Sequence, residues 1–232
     1  MNADKRIRPN VKTIDIISYD FDGTLIDSIP DITVAMNKTL GEYRFPSVTE
    51  ENMTTFVGDG IPLMVERALK AALDSNNSKD LFNQYYQQVL NRYKILYGEH
   101  CTDKSRLYPG VPEILFHFSR KIQILITNKA ESITRKMLEH YKLDGFFDLM
   151  IGGDSLPQRK PHPSIMEYVR EKYGKELSVC HVGDSHVDVK TAQNAGALSI
   201  AALWGYSPED VLRKSNPDYL IKQIHELKNI IA

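Results

Sequence analysis

The chain has 232 residues, 42% of them hydrophobic and 25% charged, and a formal net charge of −1 at pH 7. This size and composition are typical of one large globular domain, or of a core with a smaller attached unit. A net charge near zero argues against a nucleic-acid or membrane-surface partner, and no apolar run is long enough to cross a bilayer. Cys101 and Cys180 form no paired motif, so we expect a reducing, cytoplasmic location.

The start of the chain is basic. Lys5, Arg6 and Arg8 lie within its first twelve residues, and no apolar segment follows them as a secretory signal requires. We therefore expect residues 1–12 to form a disordered tail outside the folded core.

The stretch IISYDFDGTLIDS, residues 16–28, runs an apolar segment directly into a polar cluster. Ile16 and Ile17 are typical of a buried strand of a parallel sheet. Asp20 and Asp22 follow where that strand must end, and two carboxylates so close together repel each other. We therefore expect a positively charged or a reactive group between them.

Residues 28–100 have apolar side chains at helical spacing, and no convincing strand interrupts them. This pattern predicts an all-helical unit, at residues 27–107, inserted directly after the first strand. The periodic positions fall in three groups: Ile32, Ala35, Met36 and Leu40; Ile61, Met64, Val65, Ala68, Leu69 and Ala72; and Phe82, Tyr85, Tyr86, Val89, Leu90 and Tyr93.

Strands and helices alternate after the turn at Pro109 and Gly110. The predicted strands are KIQILIT, FFDLMIGG, LSVCHVGD, LSIAALWG and DYLI, and segments of helical period lie between them. This alternation is typical of a doubly wound, Rossmann-like α/β fold with a parallel sheet. We predict that residues 13–26 and 108–232 form this core.

Polar motifs from distant parts of the chain are predicted to meet at one edge of the sheet. Ligand sites of such folds lie at the carboxyl ends of the strands, and Asp20, Thr127 and Asp184 each fall at a predicted strand end. Lys160 follows a strand by a short loop, and Asp188 lies four positions after Asp184. We expect these side chains to line one crevice.

The residue types in this crevice fit chemistry on a phosphate ester. The Asp20 carboxylate can act as a nucleophile. Asp22 can protonate a leaving oxygen and later accept a proton from water. Gly23 allows a sharp turn whose N–H groups can hold phosphate oxygens.

Further polar groups of the crevice fit the same phosphoryl group and a metal. Thr127, Asn128 and Lys160 offer a hydroxyl, an N–H group and a cation. Asp184 together with Asp20 offers hard oxygen ligands for Mg²⁺, which would relieve the repulsion between the carboxylates.

Four motifs resemble those of the haloacid-dehalogenase-like hydrolase superfamily. They occur in the order of that superfamily, as DFDGTLIDS at 20–28, ITN at 126–128, KPHP at 160–163 and GDSHVD at 183–188. The resemblance covers nearly the whole chain. It implies that the helical insertion is a small cap that opens and closes over the site and determines which substrate binds.

The resemblance implies a role for each matching residue. It implies Asp20 as the nucleophile and Asp22 as the general acid and base, with Thr127 and Lys160 on the phosphate. The dehalogenases that name the superfamily lack the second aspartate, because a halide leaves without a proton. The presence of Asp22 therefore favours phosphoryl transfer.

The resemblance also implies the metal ligands. Mg²⁺ would be held by Asp20, by the main-chain carbonyl of Asp22 and by Asp184. Asp188 would act as a ligand through water or as an orienting residue.

Several segments are similar to the phosphoglycolate phosphatase subgroup of this superfamily. These segments are TLIDSIPDI, FVGDGIPLMVERAL, YPGV, GGDSLPQRKPHP and VGDSHVDVKTAQNAGA. Gly58 and Gly60 in the cap suggest a loop whose backbone approaches a small ligand closely. The N–H groups at the start of the next helix, which has Pro62 in its first turn, could hold a small carboxylate.

The sequence thus predicts a Mg²⁺-dependent phosphatase of a small metabolite that acts through an aspartyl phosphate, with 2-phosphoglycolate as the favoured substrate. Alternatives are a phosphatase of pyrophosphate, nucleotides or sugar phosphates, a phosphomutase, and a catalytically silent binding module. The sequence leaves open whether the chain is a monomer or a homodimer. It also leaves open the roles of His162, His186 and Trp204.

Overall fold

The computed structural model describes residues 11–73 and 78–232. The strands are β1 (Ile16–Tyr19), β2 (Ile26–Asp27), β3 (Arg106–Leu107), β4 (Ile122–Ile126), β5 (Leu149–Ile151), β6 (Val179–Gly183), β7 (Leu198–Ala202) and β8 (Tyr219–Ile221). The α-helices are α1 (Ile29–Glu42), α2 (Glu50–Phe56), α3 (Ile61–Ala72), α4 (Ser78–His100), α5 (Val111–His117), α6 (Glu131–His140), α7 (Ser164–Tyr173), α8 (His186–Asn194) and α9 (Glu209–Lys214). Two short 3-10 helices follow α6 and β8, at Asp144–Phe146 and Ile224–Asn229.

The main sheet is parallel and doubly wound. Within the described residues it has six strands in the order β5-β4-β1-β6-β7-β8. β1 pairs with β4 on one side and with β6 on the other, so the strand order reverses at the middle of the sheet. Such a reversal opens a crevice at the carboxyl ends of the strands. The predicted α/β fold class is confirmed.

The central strand is apolar on both faces because helices cover both sides of the sheet. Ile16 and Ile17 are fully buried, and successive side chains of a strand point to opposite faces. Ile16 packs in one apolar cluster with Ile165 of α7. Ile17 belongs to another, which includes Met137 of α6. This double cover explains why neighbouring positions of the strand, Ile16 and Ile17, are both apolar.

Four helices, α1 to α4, lie between β2 and β3 in the described residues. The apolar stripe predicted for α3 is buried from Met64 onward, and Ile61 at its start is half-buried. Tyr93 and Tyr97 of α4 are also buried, and their rings stack with centroids 5.4 Å apart. These side chains hold the inserted helices together. The domain boundaries at residues 27 and 107 stay a prediction.

A two-stranded antiparallel ribbon joins the insertion to the core. β2 and β3 pair Ile26 with Leu107 and Asp27 with Arg106, so both connections run side by side. The buried Asp31 carboxylate of α1 accepts hydrogen bonds from the main-chain N–H groups of residues 104 and 105, at 2.8 to 3.0 Å. The sequence did not predict this ribbon, because two residues per strand are too few for a periodic signal.

The first described residues pair with the last residues of the chain. The Lys12 N–H donates to the Ile230 carbonyl at 2.7 Å, and the Ala232 N–H donates to the Lys12 carbonyl at 2.9 Å. Lys12 therefore contacts the folded core, although we expected it in the tail. Residues 1–10 of the predicted tail lie outside the described residues. Among the helices described, none combines the length and the apolar character that crossing a membrane requires.

Candidate active site

The predicted strand-end residues line one cleft. Asp20 directly follows β1, Thr127 follows β4 and Asp184 follows β6, and all three are at least nine-tenths buried. Side chains from α2, α3 and α4 form the opposite wall of the same cleft. The cleft therefore lies between the sheet and the inserted helices.

Lys160 lies at the bottom of this cleft between two carboxylates. Its Nζ donates to Asp20 Oδ1 at 2.6 Å and to Asp188 Oδ1 at 2.7 Å, and its side chain is 3% exposed. These two carboxylates raise the pKa of Lys160 above its ordinary value, although burial acts in the opposite direction. The ammonium is therefore kept charged beside Asp20.

Three buried carboxylates crowd together at the sheet edge. One oxygen from each of Asp20, Asp184 and Asp188 lies within 4.8 Å of the other two. Burial raises the pKa of Asp20 to about 7, against the opposing effect of Lys160. Burial, with Asp188 and Asp20 nearby, also raises the pKa of Asp184 well above its usual value. Such a cluster is electrostatically unfavourable without a cation.

Asp184 is the member of this cluster that the protein compensates least. Its oxygens accept hydrogen bonds from the Tyr206 N–H at 2.6 Å and from the Thr24 hydroxyl at 3.3 Å. Both donors are neutral. Oxygen ligands of this kind are those that Mg²⁺ and other hard divalent cations prefer, so the cluster fits a metal site.

Asp188 differs from Asp184 because several hydrogen-bond donors contact its carboxylate. Its Oδ1 accepts from Lys160 and lies 3.2 Å from Nε2 of the buried His181. Its Oδ2 accepts from the Ser185 N–H and hydroxyl. The Asp188 N–H in turn donates to the Ser185 hydroxyl oxygen, which completes the capping box of α8. Burial would raise the pKa of Asp188, but Lys160 and His181 outweigh it and lower that pKa. Asp188 is thus built to hold Lys160 in place.

Asp22 faces the cleft from the turn after β1. Its Oδ1 accepts a 2.5 Å hydrogen bond from the Ser28 hydroxyl. The Lys129 Nζ donates to both Asp22 oxygens, at 2.9 and 3.1 Å. The Asp22 side chain is 20% exposed. Sequence reasoning missed Lys129; the signal available was its position directly after the ITN motif.

Gly23 makes the sharp turn that the sequence predicts. Its φ of +81° is in the region that favours glycine, and a Cβ there would lie 2.3 Å from Asp184 Oδ2. The N–H of Gly23 itself donates to the Ile26 carbonyl at 2.8 Å and closes the turn into β2. Phosphate binding at this turn stays a prediction.

Thr127 and Asn128 connect the cleft to its surroundings. The Thr127 hydroxyl accepts from the Lys129 N–H at 3.2 Å. The Asn128 side-chain amide donates to the main-chain carbonyls of Gly58, at 2.9 Å, and of Lys160, at 3.2 Å. Asn128 therefore ties the cap loop to the loop that carries Lys160.

The two cap glycines, Gly58 and Gly60, line the cleft, and their approach to a ligand stays a prediction. Their φ angles are +107° and +86°, and a Cβ at Gly60 would lie 2.8 Å from the Arg159 guanidinium. His162 and His186 are exposed and do not line the cleft.

Two aromatic residues after β7 lie beside the turn that follows β1. The Trp204 Nε1–H donates to the Thr24 carbonyl at 3.0 Å. Tyr206 lines the cleft, and its hydroxyl accepts from the Ser28 N–H at 2.7 Å. Trp204 therefore supports the turn after β1, whereas Tyr206 borders the site.

Comparisons with known proteins agree with this geometry. Residues 17–202 match the model of the family described as haloacid dehalogenase-like hydrolase. A phosphoglycolate phosphatase of Haemophilus influenzae is 36% identical over 219 residues, which are 93% of this chain and 97% of that protein. One from Mannheimia succiniciproducens is 32% identical with the same coverage. The crystal structure of a predicted phosphoglycolate phosphatase from Haemophilus somnus has a TM-score of 0.87 and 29% identity, over 94% of this chain and 97% of that one. The family match spans more than half of the sequence, so this chain belongs to the haloacid dehalogenase-like hydrolase family.

Proposed function

We propose that this protein is a Mg²⁺-dependent phosphatase that hydrolyses 2-phosphoglycolate to glycolate and phosphate. The observation that carries the proposal is the pairing of Asp20 with Lys160 beside the carboxylate cluster, with Asp22 two residues further along the same turn. The names of the similar proteins support the choice of substrate. Phosphatases of other small phosphomonoesters share this chemistry, and the substrate experiment below separates them.

In the first half of the reaction, Asp20 attacks phosphorus. The bond from phosphorus to the ester oxygen breaks as a bond from phosphorus to an Asp20 oxygen forms, which leaves an aspartyl phosphate. Lys160 and the Thr127 hydroxyl hold phosphoryl oxygens, and the Lys160 charge compensates for the approach of one anion to another. Asp22 gives its proton to the departing glycolate oxygen.

In the second half, Asp22 accepts a proton from water. The water oxygen bonds to phosphorus, the bond to Asp20 breaks, and phosphate leaves with the Asp20 carboxylate and the protonated Asp22 carboxyl restored. Ser28 and Lys129 fix the orientation of the Asp22 carboxyl through three hydrogen bonds. Cap closure would keep other water out of the site.

The residues suited to hold Mg²⁺ are Asp20, Asp184 and the main-chain carbonyl of Asp22. Asp188, whose oxygens are already engaged by protein donors, would orient Lys160. A bound Mg²⁺ would neutralise carboxylate and phosphate charge and polarise the phosphoryl group.

The function is tested by phosphate release from a panel of substrates in the presence of Mg²⁺. We expect the highest kcat/KM for 2-phosphoglycolate and lower values for pyrophosphate, nucleoside monophosphates and hexose phosphates. Release of glycolate and phosphate in equal amounts excludes transfer of the phosphoryl group to a sugar, which is the reaction of a phosphomutase. A higher kcat/KM for any other member of the panel would contradict the choice of substrate.

Metal binding is expected to appear as thermal stabilisation. A ligand that binds only the folded state at a hundredfold excess over its Kd contributes about 2.7 kcal/mol. Because 1 kcal/mol shifts the Tm of a domain of this size by about 2 to 4 °C, Mg²⁺ should raise the Tm by about 5 to 10 °C. NaCl of equal ionic strength is the control, and an equal shift with NaCl would contradict the site.

The Asp184→Asn variant should lose this Mg²⁺-induced shift. In the metal-free protein it should have a higher Tm than the wild type, since the amide keeps an acceptor for the Tyr206 N–H while removing a buried like charge. Asp210→Asn, which removes an exposed carboxylate on α9, should keep the full shift. A Mg²⁺ shift that survives in Asp184→Asn would place the metal elsewhere.

A further inference from the structure

Lys129 is a buried cation that the proposed mechanism leaves without a direct role in binding. It is 6% exposed and lines the cleft. Among the described residues that line the cleft, the other lysine is Lys160, and no arginine lines it. In the proposed mechanism Lys160, which contacts Asp20 and Asp188, holds the phosphoryl group. Lys129 is therefore the cation that remains for another part of the substrate.

Lys129 lies on the side of the cleft where the leaving group must be. Its Nζ is 2.9 and 3.1 Å from the two oxygens of Asp22, and Asp22 must reach the ester oxygen to protonate it. The Lys129 Nζ also hydrogen-bonds the Tyr97 hydroxyl of the cap and lies 4.6 Å from the centre of that ring. The ammonium is thus held between the acid and the cap.

The cap wall of the cleft offers no competing charge. Its described lining includes Val57, Ile61 and Met64, together with Thr54 and Tyr93, and no charged side chain. Two arginines are near the cap loop, and neither lines the cleft. Arg67 pairs with Asp59 at 2.6 Å, and Arg159 is exposed beside Gly60. An anionic leaving group would therefore meet Lys129 as its charged partner.

We propose that Lys129 is a specificity-determining residue that binds the carboxylate of the leaving group and so selects phosphate esters of short 2-hydroxy acids. This inference rests on the proposed function and deepens it. In such an ester a single carbon separates the ester oxygen from the carboxylate. A substrate whose ester oxygen contacts Asp22 thus brings its carboxylate to the Lys129 ammonium. The three N–H donors of this ammonium go to the two Asp22 oxygens and the Tyr97 hydroxyl. Exchange of one of the two bonds to Asp22 lets Lys129 bridge Asp22 and the carboxylate.

The test compares Lys129→Met with wild type on 2-phosphoglycolate and on ethyl phosphate. The two esters have the same carbon count, and only the first carries a carboxylate. We expect the ratio of their kcat/KM values to fall by about 30-fold in the variant, the loss typical of one hydrogen bond to a charged group. The comparison is a cycle in which effects common to both substrates cancel.

Lys136→Met is the matched control. Lys136 is exposed on α6 and donates to the carbonyls of Gly98 and Glu99 on α4, the cap helix that also carries Tyr97. This variant removes the same charge and a contact to the same helix, but outside the cleft. Its selectivity ratio should equal that of wild type. The inhibition constant of inorganic phosphate should be unchanged in both variants, since neither variant alters the residues proposed to bind phosphate.

The outcomes separate the inference from the proposed function. An equal loss on both esters in Lys129→Met would assign Lys129 to the positioning of Asp22 and overturn carboxylate recognition. A loss of folding in Lys129→Met, seen as a lowered Tm with no activity, is resolved with Lys129→Gln, to which the same ratio criterion applies. A wild type that releases no phosphate from 2-phosphoglycolate would overturn the proposed function itself.

Discussion

Replacement of Asp20 by Asn is expected to abolish phosphate release, with a loss on the order of 10⁴-fold or more, because an amide cannot form the aspartyl phosphate. The fold should persist, since Asn keeps an oxygen that can accept from Lys160. The measurements are kcat for 2-phosphoglycolate with Mg²⁺ and the circular dichroism spectrum. Removal of the nucleophile should be visible with every substrate in the panel.

The matched control for this variant is Asp15→Asn. Asp15 is exposed just before β1, at the opposite end of the strand, and its carboxylate accepts from Ser178. Asp15→Asn should keep wild-type kcat. Substantial turnover by Asp20→Asn would transfer the nucleophile role to another residue.

Replacement of Asp22 by Asn is expected to lower steady-state turnover of 2-phosphoglycolate by about 10³-fold, within the range of general acid–base catalysis. With p-nitrophenyl phosphate, the release of p-nitrophenolate by this variant should follow a different time course. The p-nitrophenolate leaving group departs without a proton, so Asp20 can still be phosphorylated. Without a base, the aspartyl phosphate then hydrolyses slowly.

A stopped-flow experiment should therefore show a burst of one equivalent of p-nitrophenolate from Asp22→Asn, followed by slow turnover. Asp20→Asn serves as the control and should show no burst. The absence of a burst from Asp22→Asn, with the phosphate inhibition constant unchanged, would mean that Asp22 acts only before or during the first step. The burst also measures the aspartyl phosphate directly.

The two variants together assign the neighbouring aspartates to different tasks. Asp20 is buried against Lys160, whereas Asp22 is partly exposed and contacts Ser28 and Lys129. The first environment suits a nucleophile that must be screened by a cation, and the second suits a group that exchanges protons with the leaving oxygen and with water. Loss of activity alone would not distinguish these roles, but the burst does.

Much of the fold was predictable because its signals are local. Mainly apolar segments such as 16–17 and 124–126, separated by segments of helical period, are properties of neighbouring residues. The ends of those runs also located Asp20, Thr127 and Asp184, since parallel strands present their carboxyl ends at one edge of the sheet. The catalytic and metal roles assigned to these residues stay predictions that the variants test.

The sequence by itself determined the α/β core, the place of the helical insertion and the strand-end residues that face the cleft, because each follows from residues close together in the chain. Only the tertiary structure decided that Lys129 lies on Asp22, that the Tyr206 N–H binds Asp184 and that the Gly23 N–H is used by the turn. The first of these contacts joins residues 107 positions apart. Asp22 follows β1 and Lys129 follows β4, so their distance depends on the pairing of these two strands and on the turns after them. No local pattern of side chains carries that information.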